Sequence, residues 1–553
     1  MGSKKFRTMW MFPRNIRRIE PWKLTQISSA LEVCIGDVQS QDVQDELYKQ
    51  LSELGVKRKE NEDGSTNQGG FRTYLAQLAC LGLFWRKDKK FYPTKAGRAV
   101  IAGKNPLKVL RCQLLRMQYP SVYGLGNNVR ISPTLKIKPF QFLLRLLNEK
   151  RLGYKLSCKD ITVPVVFGQT DSDFELCVSK IIELRSNDND LSFVITDPDL
   201  VRTPKRDHSD LPDGDKRDLE LGIVDAFEIA NTAINYLRAA LLIKPNEDED
   251  KTFSLIEDPK LREEIQPYLN EQKIYPLVSG DESRWQQFYG RYDSKRVVQN
   301  VGESEKLDGL AVMARNLFIS AMEKDPYGVD IQNFVKGLAG NLGKLEQDIY
   351  SRIESIIPRQ RTLERDVLIR ASLSGGKEAL TLEKGVTNIL KNLGFKKSRH
   401  IGQLKSKKKR DGGFPDIYIY EDGMTVCGLG DTKATSSYSF GLNDKNKLQT
   451  YYKDCSEEID NVHPCGFFLY VAGGFSRGTE SVLSSLKDCT EKFGRPVSAV
   501  TVNALLDLNE RREDGFLKIG DRELAHELSR VFETGDYFVS CSQIENRANV
   551  HNF

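Results

Sequence analysis

The chain has 553 residues, of which 39% are hydrophobic and 29% are charged. This length is several times that of a usual domain, so we expect three to five domains with ample buried core. The composition is ordinary for a globular protein and excludes a chain that is largely disordered. Lysine and arginine number 82 against 77 aspartates and glutamates, and the net charge of +5 permits a polyanionic partner without requiring one.

The ten cysteines form no Cys-x-x-Cys pair and no Cys/His cluster at zinc spacing. This usage indicates reduced thiols in a cytosolic protein and argues against a structural zinc. Apolar residues nowhere run together for the roughly 18 positions that a spanning helix needs, so we expect no contact with a membrane.

An N-terminal arm, "KKFRTMWMFPRNIRRIEPW", interleaves basic and aromatic residues. It includes Arg14, Arg17 and Arg18 together with Trp10 and Trp22. Cations over phosphates, with aromatic rings against sugar or base, would suit a nucleic-acid arm. An N-terminal strand whose aromatic residues pack inward explains the same pattern, because aromatic residues this dense are usually buried.

Residues 74–100, "YLAQLACLGLFWRKDKKFYPTKAGRAV", predict a helix, a Leu-Gly-Leu break, two short strands around a Lys-Asp-Lys tip, and the start of a helix. This order is typical of the end of a winged helix-turn-helix. The tip is basic and would attract phosphates; a solvated hairpin is the alternative. Its candidate DNA contacts are Arg86, Lys87, Lys89 and Lys90.

Residues 236–265 repeat this order, and in both copies a Phe stands 17 positions after a Tyr, Tyr74 to Phe91 and Tyr236 to Phe253. The second tip is acidic over residues 246–250, so phosphates would repel it, and contact with protein or a supporting role suits it better. Between the two copies, a capping box, a helix on either side and a hairpin-like stretch predict a middle copy.

Residues 285–359 are mostly helical in pattern and suit a spacer, and the last ~190 residues alternate helix and strand as in an α/β domain. Within the latter lies "GGFPDIYIYEDGMTVCGLGDTKATS". Asp416 begins a strand, a turn follows at residues 421–423, and the second strand delivers Asp431 and Lys433. Such a hairpin brings Asp416 beside Asp431. Strand alternation places Asp431 and Lys433 on one face and points Thr432 away.

Two carboxylates this close repel each other unless a cation lies between them, and an oxygen-only set with few protein ligands suits Mg²⁺. We expect Asp416 and Asp431 to bind the metal, which would activate a water for attack on phosphorus. Lys433 would hold the nucleophile and offset the developing charge. Upstream, Glu383 lies on a predicted helix and could bind a second metal or orient the site.

A basic run precedes the hairpin and would lead a phosphate backbone toward it, although a solvated turn explains the run equally simply. Its candidate DNA contacts are Lys407, Lys408, Lys409 and Arg410. As a bare pattern, Pro-Asp followed by Asp-x-Lys also arises by chance. Agreement among the strands, the basic run, the acid-bearing helix and the separate winged-helix modules favours a site.

The stretch "FPDIYIYEDGMTVCGLGDTKATSSYSFG" resembles the PD-(D/E)xK nuclease motif in the form found in type IIS restriction endonucleases of the FokI kind. The resemblance continues through "FFLYVAGGFSRGTESVLSSL" and "RPVSAVTVNALLDL" and covers most of residues 380–510. In the front half, "MWMFPRN", "LLRMQYPS" and "QQFYGRY" resemble landmarks of AlwI-type enzymes and related nicking endonucleases.

The resemblance implies a bacterial cytoplasmic enzyme that binds a short asymmetric site in double-stranded DNA and cuts a few base pairs outside it, using Mg²⁺. It makes Asp416, Asp431 and Lys433 the catalytic set, with Glu383 placed only by its helix. It also implies a monomer in solution that dimerises transiently on DNA through its nuclease domain. An aspartate at position 431, where some strand-nicking relatives have glutamate, favours double-strand cleavage.

These observations predict a multidomain protein that combines α/β and mainly α parts. The predicted regions are a recognition domain with a winged helix at 1–130, a second winged-helix-like recognition region at 131–285, a helical linker at 286–360 and a PD-(D/E)xK nuclease domain at 361–553. Alternatives are a strand-specific nicking enzyme, the large subunit of a heterodimeric nuclease, and a non-catalytic winged-helix DNA-binding protein. The intact Asp416, Asp431 and Lys433 set argues against the last of these.

Overall fold

The computed structural model describes residues 6–13, 20–33, 42–43, 45, 49, 71–87, 90–124, 131–197, 200, 222–246, 251–277, 282–291, 307–404, 414–476 and 478–548. Contacts divide the chain into two units. Unit 1 comprises Met1–Phe318 with Leu338–Arg359, and unit 2 comprises Ile319–Gly337 with Gln360–Phe553. The predicted spacer at 286–360 is thus divided between the units, and the finer four-part division stays a prediction.

Unit 1 is mainly helical, with short strands between the helices. Its helices are α1 Pro21–Val33, α2 Phe71–Cys80, α3 Lys95–Ile101, α4 Pro106–Arg116, α5 Pro139–Leu147, α6 Cys158–Phe167, α7 Phe174–Ser186, α8 Ile223–Ala239, α9 Pro259–Leu269 and α10 Glu282–Tyr289. Its strands are β1 Phe84–Lys87, β2 Lys90–Pro93, β3 Leu156–Ser157, β4 Ile243–Pro245 and β5 Thr252–Leu255. Three helices follow, α11 Gly309–Lys324, α12 Ile331–Leu342 and α13 Glu346–Ile353.

The first predicted hairpin is present, since β1 and β2 pair antiparallel with Phe84 opposite Pro93. Thr94 then ends β2 and caps α3, because its hydroxyl accepts a hydrogen bond from the Gly97 N–H at 3.1 Å. The helix, two strands and helix predicted over residues 74–100 are therefore confirmed as elements. Their assignment as a winged helix stays a prediction.

The predicted middle copy is corrected by the structure. No strand forms over residues 187–197, all of which are described. Asp188 and Asn189 adopt positive φ angles of 51° and 57°, and a 3-10 turn follows at Leu191–Phe193. β3 instead pairs with β5, giving a three-stranded sheet in the order β3-β5-β4. The middle and last predicted copies thus share one sheet.

Trp10, Phe12 and Trp22 of the N-terminal arm pack inward, as the second of the two interpretations expected, although residues 6–13 form no strand and Phe6 is exposed. Trp10 is fully buried, and its indole N–H donates to the Gly168 carbonyl oxygen at 2.6 Å. The Phe12 ring lies 5.2 Å from that of Phe140, and Trp22 is also buried. These rings stabilise the core of unit 1 and are not available to bases.

Unit 2 is an α/β domain. Its helices are α14 Gln360–Ser374, α15 Ala379–Asn392, α16 Leu442–Glu458, α17 Gly478–Phe493, α18 Val502–Glu513, α19 Asp521–Phe532 and α20 Cys541–Ala548. Its strands are β6 Arg399–His400, β7 Ile417–Ile419, β8 Cys427–Lys433, β9 Cys465–Ala472, β10 Val497–Thr501 and β11 Tyr537–Phe538. They form a six-stranded sheet in the order β11-β10-β9-β8-β7-β6.

The sheet is mixed: β8 to β11 are parallel, whereas β6, β7 and β8 pair antiparallel. Separate apolar clusters cover its two faces, so the central strands are buried on both sides and are almost continuously apolar. The stretch "CGFFLYVA" is such a strand, β9, and it lies between β8 and β10.

No disulfide links the nine cysteines that lie in the described part of the chain. Across the same residues, none of the helices has the length and apolar character needed to cross a membrane.

Candidate active site

The β7–β8 pair brings two acidic residues to one edge of the sheet. Ile417 lies opposite Gly430, so the register places Asp416, one residue before β7, opposite Asp431. The two carboxyl groups are close enough for each to shift the pKa of the other. The convergence predicted from the sequence therefore exists in the fold.

The alternation of β8 also places Asp431 and Lys433 on one face. The lysine Nζ lies 2.8 Å from Asp431 Oδ2, and the Asp431 side chain is almost completely buried. Burial and then the charge of Asp416 raise the pKa of Asp431, Lys433 lowers it, and the balance of these effects brings the pKa to about 7. Burial likewise raises the pKa of Asp416. Without a cation, the pair disfavours two full negative charges.

Thr432 differs from the prediction that it points away from the site. Its backbone N–H donates to Asp416 Oδ2 at 2.6 Å, and its hydroxyl donates to the same oxygen at 2.9 Å. Asp416 lies one residue before β7, just beyond the last residue pair between β7 and β8. Its carboxylate can therefore reach the backbone of β8 at Thr432. Thr432 therefore holds Asp416 in place, a role that strand alternation alone does not reveal.

Lys433 has a second acidic neighbour, which the sequence analysis missed. Its Nζ lies 3.7 Å from Asp444 Oδ1, and 5.4 Å from the centre of the Tyr438 ring. Burial lowers the pKa of Lys433, but Asp431 and Asp444 outweigh it, so the pKa is raised. Asp444 stands three residues after Gly441, whose N–H it accepts at 3.0 Å. An acid three residues after the N-cap of a helix is a capping signal, and the sequence alone could have indicated Asp444 by this signal.

Glu383 lies on α15, as predicted, and faces the same region. A side chain at Gly402 would come within 3.0 Å of Asp416 Oδ1 and 3.5 Å of Glu383 Oε2, so both carboxylates flank one backbone position. Glu383 Oε2 is hydrogen-bonded to His400 Nε2 at 2.6 Å. His400 was not predicted, and it gives Glu383 a protein partner beside the two aspartates.

The carboxylate pair fits a small divalent cation. Oxygen ligands are those that Mg²⁺ prefers, and a cation between Asp416 and Asp431 would remove the repulsion that raises the pKa of Asp431. In the described part of the chain, no group of three or more His, Cys, Asp and Glu side chains is arranged to hold a metal. The arrangement thus offers two carboxylates and leaves the remaining positions to water and substrate oxygens.

Most of the predicted DNA contacts fall where the structure gives no description. Arg14, Arg17, Arg18, Lys89, Lys407, Lys408, Lys409 and Arg410 lie outside the described residues. Lys87 and Lys90 have described backbones in β1 and β2, but their side chains are also outside the described part. Arg86 is exposed on β1.

The family model described as the cleavage domain of FokI matches residues 344–530. The range contains every residue of the site described above. The search of curated proteins found no match. The match does not extend to the N-terminal half, where the resemblance to AlwI-type enzymes stays a prediction.

The solved structures that are similar to the chain include FokI and a BpuJ1 domain. The alignment with the restriction endonuclease FokI covers 96% of this chain and 100% of the FokI chain, at 14% identity and a TM-score of 0.28. FokI bound to DNA covers 97% and 100%, at 13% identity and a TM-score of 0.28. The BpuJ1 endonuclease binding domain, in complex with pyrene- and phenanthrene-modified DNA, covers 52% and 97%, at 16% identity and a TM-score of 0.34. By the family model alone, residues 344–530 are similar to the cleavage domain of FokI.

Proposed function

We propose that this protein is a type IIS restriction endonuclease that binds a short asymmetric site in double-stranded DNA and hydrolyses phosphodiester bonds a few base pairs outside it. One observation carries the proposal. Asp416, Asp431 and Lys433 come together at a sheet edge inside the segment that matches the FokI cleavage-domain model. Residues 344–530 account for the cutting, and the rest of the chain is free to recognise DNA.

Asp416 and Asp431 would hold Mg²⁺, with Glu383 close enough to Asp416 to orient the site. When bound, the metal supplies an activated water and neutralises the charge on the departing oxygen. Lys433, whose pKa is raised, stays protonated at neutral pH and presents a positive charge toward the phosphate. Thr432 keeps the Asp416 carboxylate in the orientation that this chemistry needs.

Unit 1 would read the DNA. A helix, a strand, two helices and a hairpin follow one another as α5, β3, α6, α8, β4 and β5, with α7 inserted. This order, with the sheet order β3-β5-β4, supports the proposal of a winged helix. A second hairpin of this kind is β1–β2, whose tip is basic in sequence. Phosphate contacts from the basic tip and the basic run at residues 405–410 would make binding fall steeply as salt is raised.

The part of the chain that the structure describes has one such acidic pair, so cutting both strands would require a second copy. We therefore propose that the protein is a monomer in solution and pairs transiently on DNA through the nuclease domain. We also propose that it is a bacterial cytoplasmic enzyme. If the chain acts alone, it would nick one strand. If it is a non-catalytic DNA-binding protein, it would bind DNA and leave both strands intact.

Digestion of a plasmid with Mg²⁺, followed by sequencing of the ends, tests the proposal. We expect linear product, with both cuts at a fixed offset on one side of a common short sequence. Asp431→Asn should abolish cleavage and retain DNA binding, while the exposed Asp422→Asn serves as a matched control with full activity. Nicked circles would favour the strand-specific alternative, and intact plasmid with retained binding would favour the non-catalytic one.

A further inference from the structure

Two stretches singled out in the sequence meet in unit 1, although neither contributes to the candidate active site. "LLRMQYPS" supplies the end of α4 and the loop after it, and "QQFYGRY" supplies the end of α10. The Tyr289 hydroxyl donates to the Gln113 carbonyl oxygen at 3.1 Å, just before the first stretch. The Arg116 guanidinium donates to the Arg291 carbonyl oxygen. These contacts hold the two stretches against each other.

A pocket of about 180 Å³ opens where they meet. Cavities of about 150 Å³ hold a benzene-sized ring, so this one has room for a single planar ring system. Aromatic rings form its walls: Trp285 stacks on Tyr289 at 5.1 Å, and Tyr275 meets Phe288 edge to face at 4.9 Å. Phe288 is 36% exposed and stands at the opening.

The polar groups of the pocket favour a ligand with hydrogen-bond acceptors and negative charge. Arg116, Lys138 and Arg291 outnumber the single acid, Glu271, among the lining residues. The Arg291 guanidinium lies 4.7 Å from the centre of the Phe288 ring, at the exposed side. The cations thus accompany the aromatic walls, a combination found where proteins bind nucleotides.

Two of the residues that line the pocket each have a donor without a hydrogen-bond acceptor among the described residues. These donors are the buried indole N–H of Trp285 and the buried Nε–H of Arg116, whose side chain is only 10% exposed. Glu271 Oε2 approaches that Nε no closer than 3.7 Å. Buried donors are normally satisfied, so these two indicate a ligand that brings acceptor atoms into the pocket.

We propose that this pocket receives one unstacked base of DNA, with its phosphate against Arg291. The proposal rests on the proposed function only in taking DNA as the partner of unit 1. A base offers a flat ring for Trp285 and Phe288, ring nitrogens or carbonyl oxygens for the two donors, and a phosphate for the cation at the opening. An extruded base is read by stacking and hydrogen bonds of this kind.

The test uses the full chain and a fluorescent nucleotide, 2-aminopurine deoxyribonucleoside 5′-monophosphate, whose emission is quenched when its base stacks. Wild-type protein should quench the probe saturably. Phe288→Ala should weaken binding about tenfold, as expected for loss of one stacking partner. Phe193→Ala removes another exposed phenylalanine of unit 1 that does not line the pocket, and should leave binding unchanged.

Two further variants test the polar groups. Trp285→Phe removes the indole N–H and keeps an aromatic ring, and Arg291→Ala removes the exposed cation. Both should weaken binding while far-ultraviolet circular dichroism stays that of the wild type. Absence of saturable quenching, equal quenching by Phe288→Ala, or displacement of the probe by equimolar inorganic phosphate would each overturn the pocket. The assay needs no cleavage, so an enzyme that cuts plasmid without binding the probe refutes this inference alone, and the reverse result refutes the proposed function alone.

Discussion

Thr432 and Asp416 are joined by two hydrogen bonds to a single carboxylate oxygen, from the backbone N–H at 2.6 Å and from the hydroxyl at 2.9 Å. The backbone bond is fixed by the fold of β8, whereas the hydroxyl bond depends on the side chain at position 432. A threonine between the second acid and the lysine therefore contributes directly to the orientation of the first acid.

Thr432→Val should lower the cleavage rate about tenfold to a hundredfold, because groups that orient metal ligands typically have effects of that size. Valine keeps the shape and the backbone N–H but removes the donor. Thr432→Ser, which restores the hydroxyl, should recover most of the activity. Single-turnover cleavage measures the rate, and DNA binding should be equal in all three proteins. A valine variant with the wild-type rate would show that the hydroxyl is dispensable.

Asp444 is expected to position Lys433 between two acids. Asp444→Asn removes the charge 3.7 Å from the lysine Nζ but can still accept the Gly441 N–H that begins α16. We expect a lower kcat, about tenfold or more, with little change in KM, because misplacement of a reacting group affects mainly the chemical step. Asp444→Glu should restore part of the rate. A rise in KM alone would instead assign Asp444 to DNA binding.

The carboxylate pair makes metal binding visible as a change in stability. At pH 8, above the pKa of about 7 at which Asp431 titrates, Asp431 of the metal-free chain is ionised beside the Asp416 carboxyl group. Mg²⁺ should then raise the temperature of unfolding, as does any ligand that binds only the folded state. Asp431→Asn removes the repulsion, so the variant should unfold at a higher temperature than the wild type in EDTA.

The same variant should lose the stabilisation by Mg²⁺, while Asp422→Asn, on the exposed turn after β7, should keep it. Thermal scans of the three proteins with EDTA and with Mg²⁺ provide the measurement. An Asp431→Asn protein that responds to Mg²⁺ as the wild type does would place the metal elsewhere.

Local signals explain what the sequence predicted well. Pro-Asp before an apolar strand, a Glu-Asp-Gly turn and the alternation of β8 determine the register that brings Asp416 to Asp431. The same kind of signal, a capping box at Ser157 and Asp160, begins α6 as predicted. These features depend on residues close together in the chain, and their geometry follows from backbone chemistry.

Contacts between distant segments explain what it did not. β3 finds its partner in β5, where Leu156 lies opposite Phe253, and no local pattern distinguishes that pairing from a hairpin at residues 187–197. The contact of His400 with Glu383 joins a strand to a helix through side-chain reach alone. The burial of Trp10 depends on an acceptor at Gly168, far along the chain.

Glu364 should make the stability of the chain depend on pH. It is 2% exposed on α14, and burial raises its pKa to about 7. An unfolded glutamate has a pKa of about 4.3, so the folded state retains a proton that the unfolded state releases, and stability falls as pH rises through this window. One pKa unit corresponds to about 1.4 kcal/mol, so the loss approaches about 4 kcal/mol above pH 7.

Glu364→Gln should remove this loss. The Glu364 carboxylate accepts hydrogen bonds from the Tyr327 N–H at 2.9 Å and the Gln360 side chain at 3.1 Å, and a glutamine oxygen can accept both. We expect the variant to unfold at a higher temperature than the wild type at pH 8 and at a similar one at pH 5. Glu480→Gln, an exposed control, should follow the wild type at both values. Asp431 titrates in all three proteins, so its contribution to the pH dependence of stability is the same in each and does not affect the comparison. Equal unfolding temperatures of the wild type and Glu364→Gln at pH 8 would mean that ionisation of Glu364 does not lower the stability of the folded state. Burial would then not raise the pKa of Glu364.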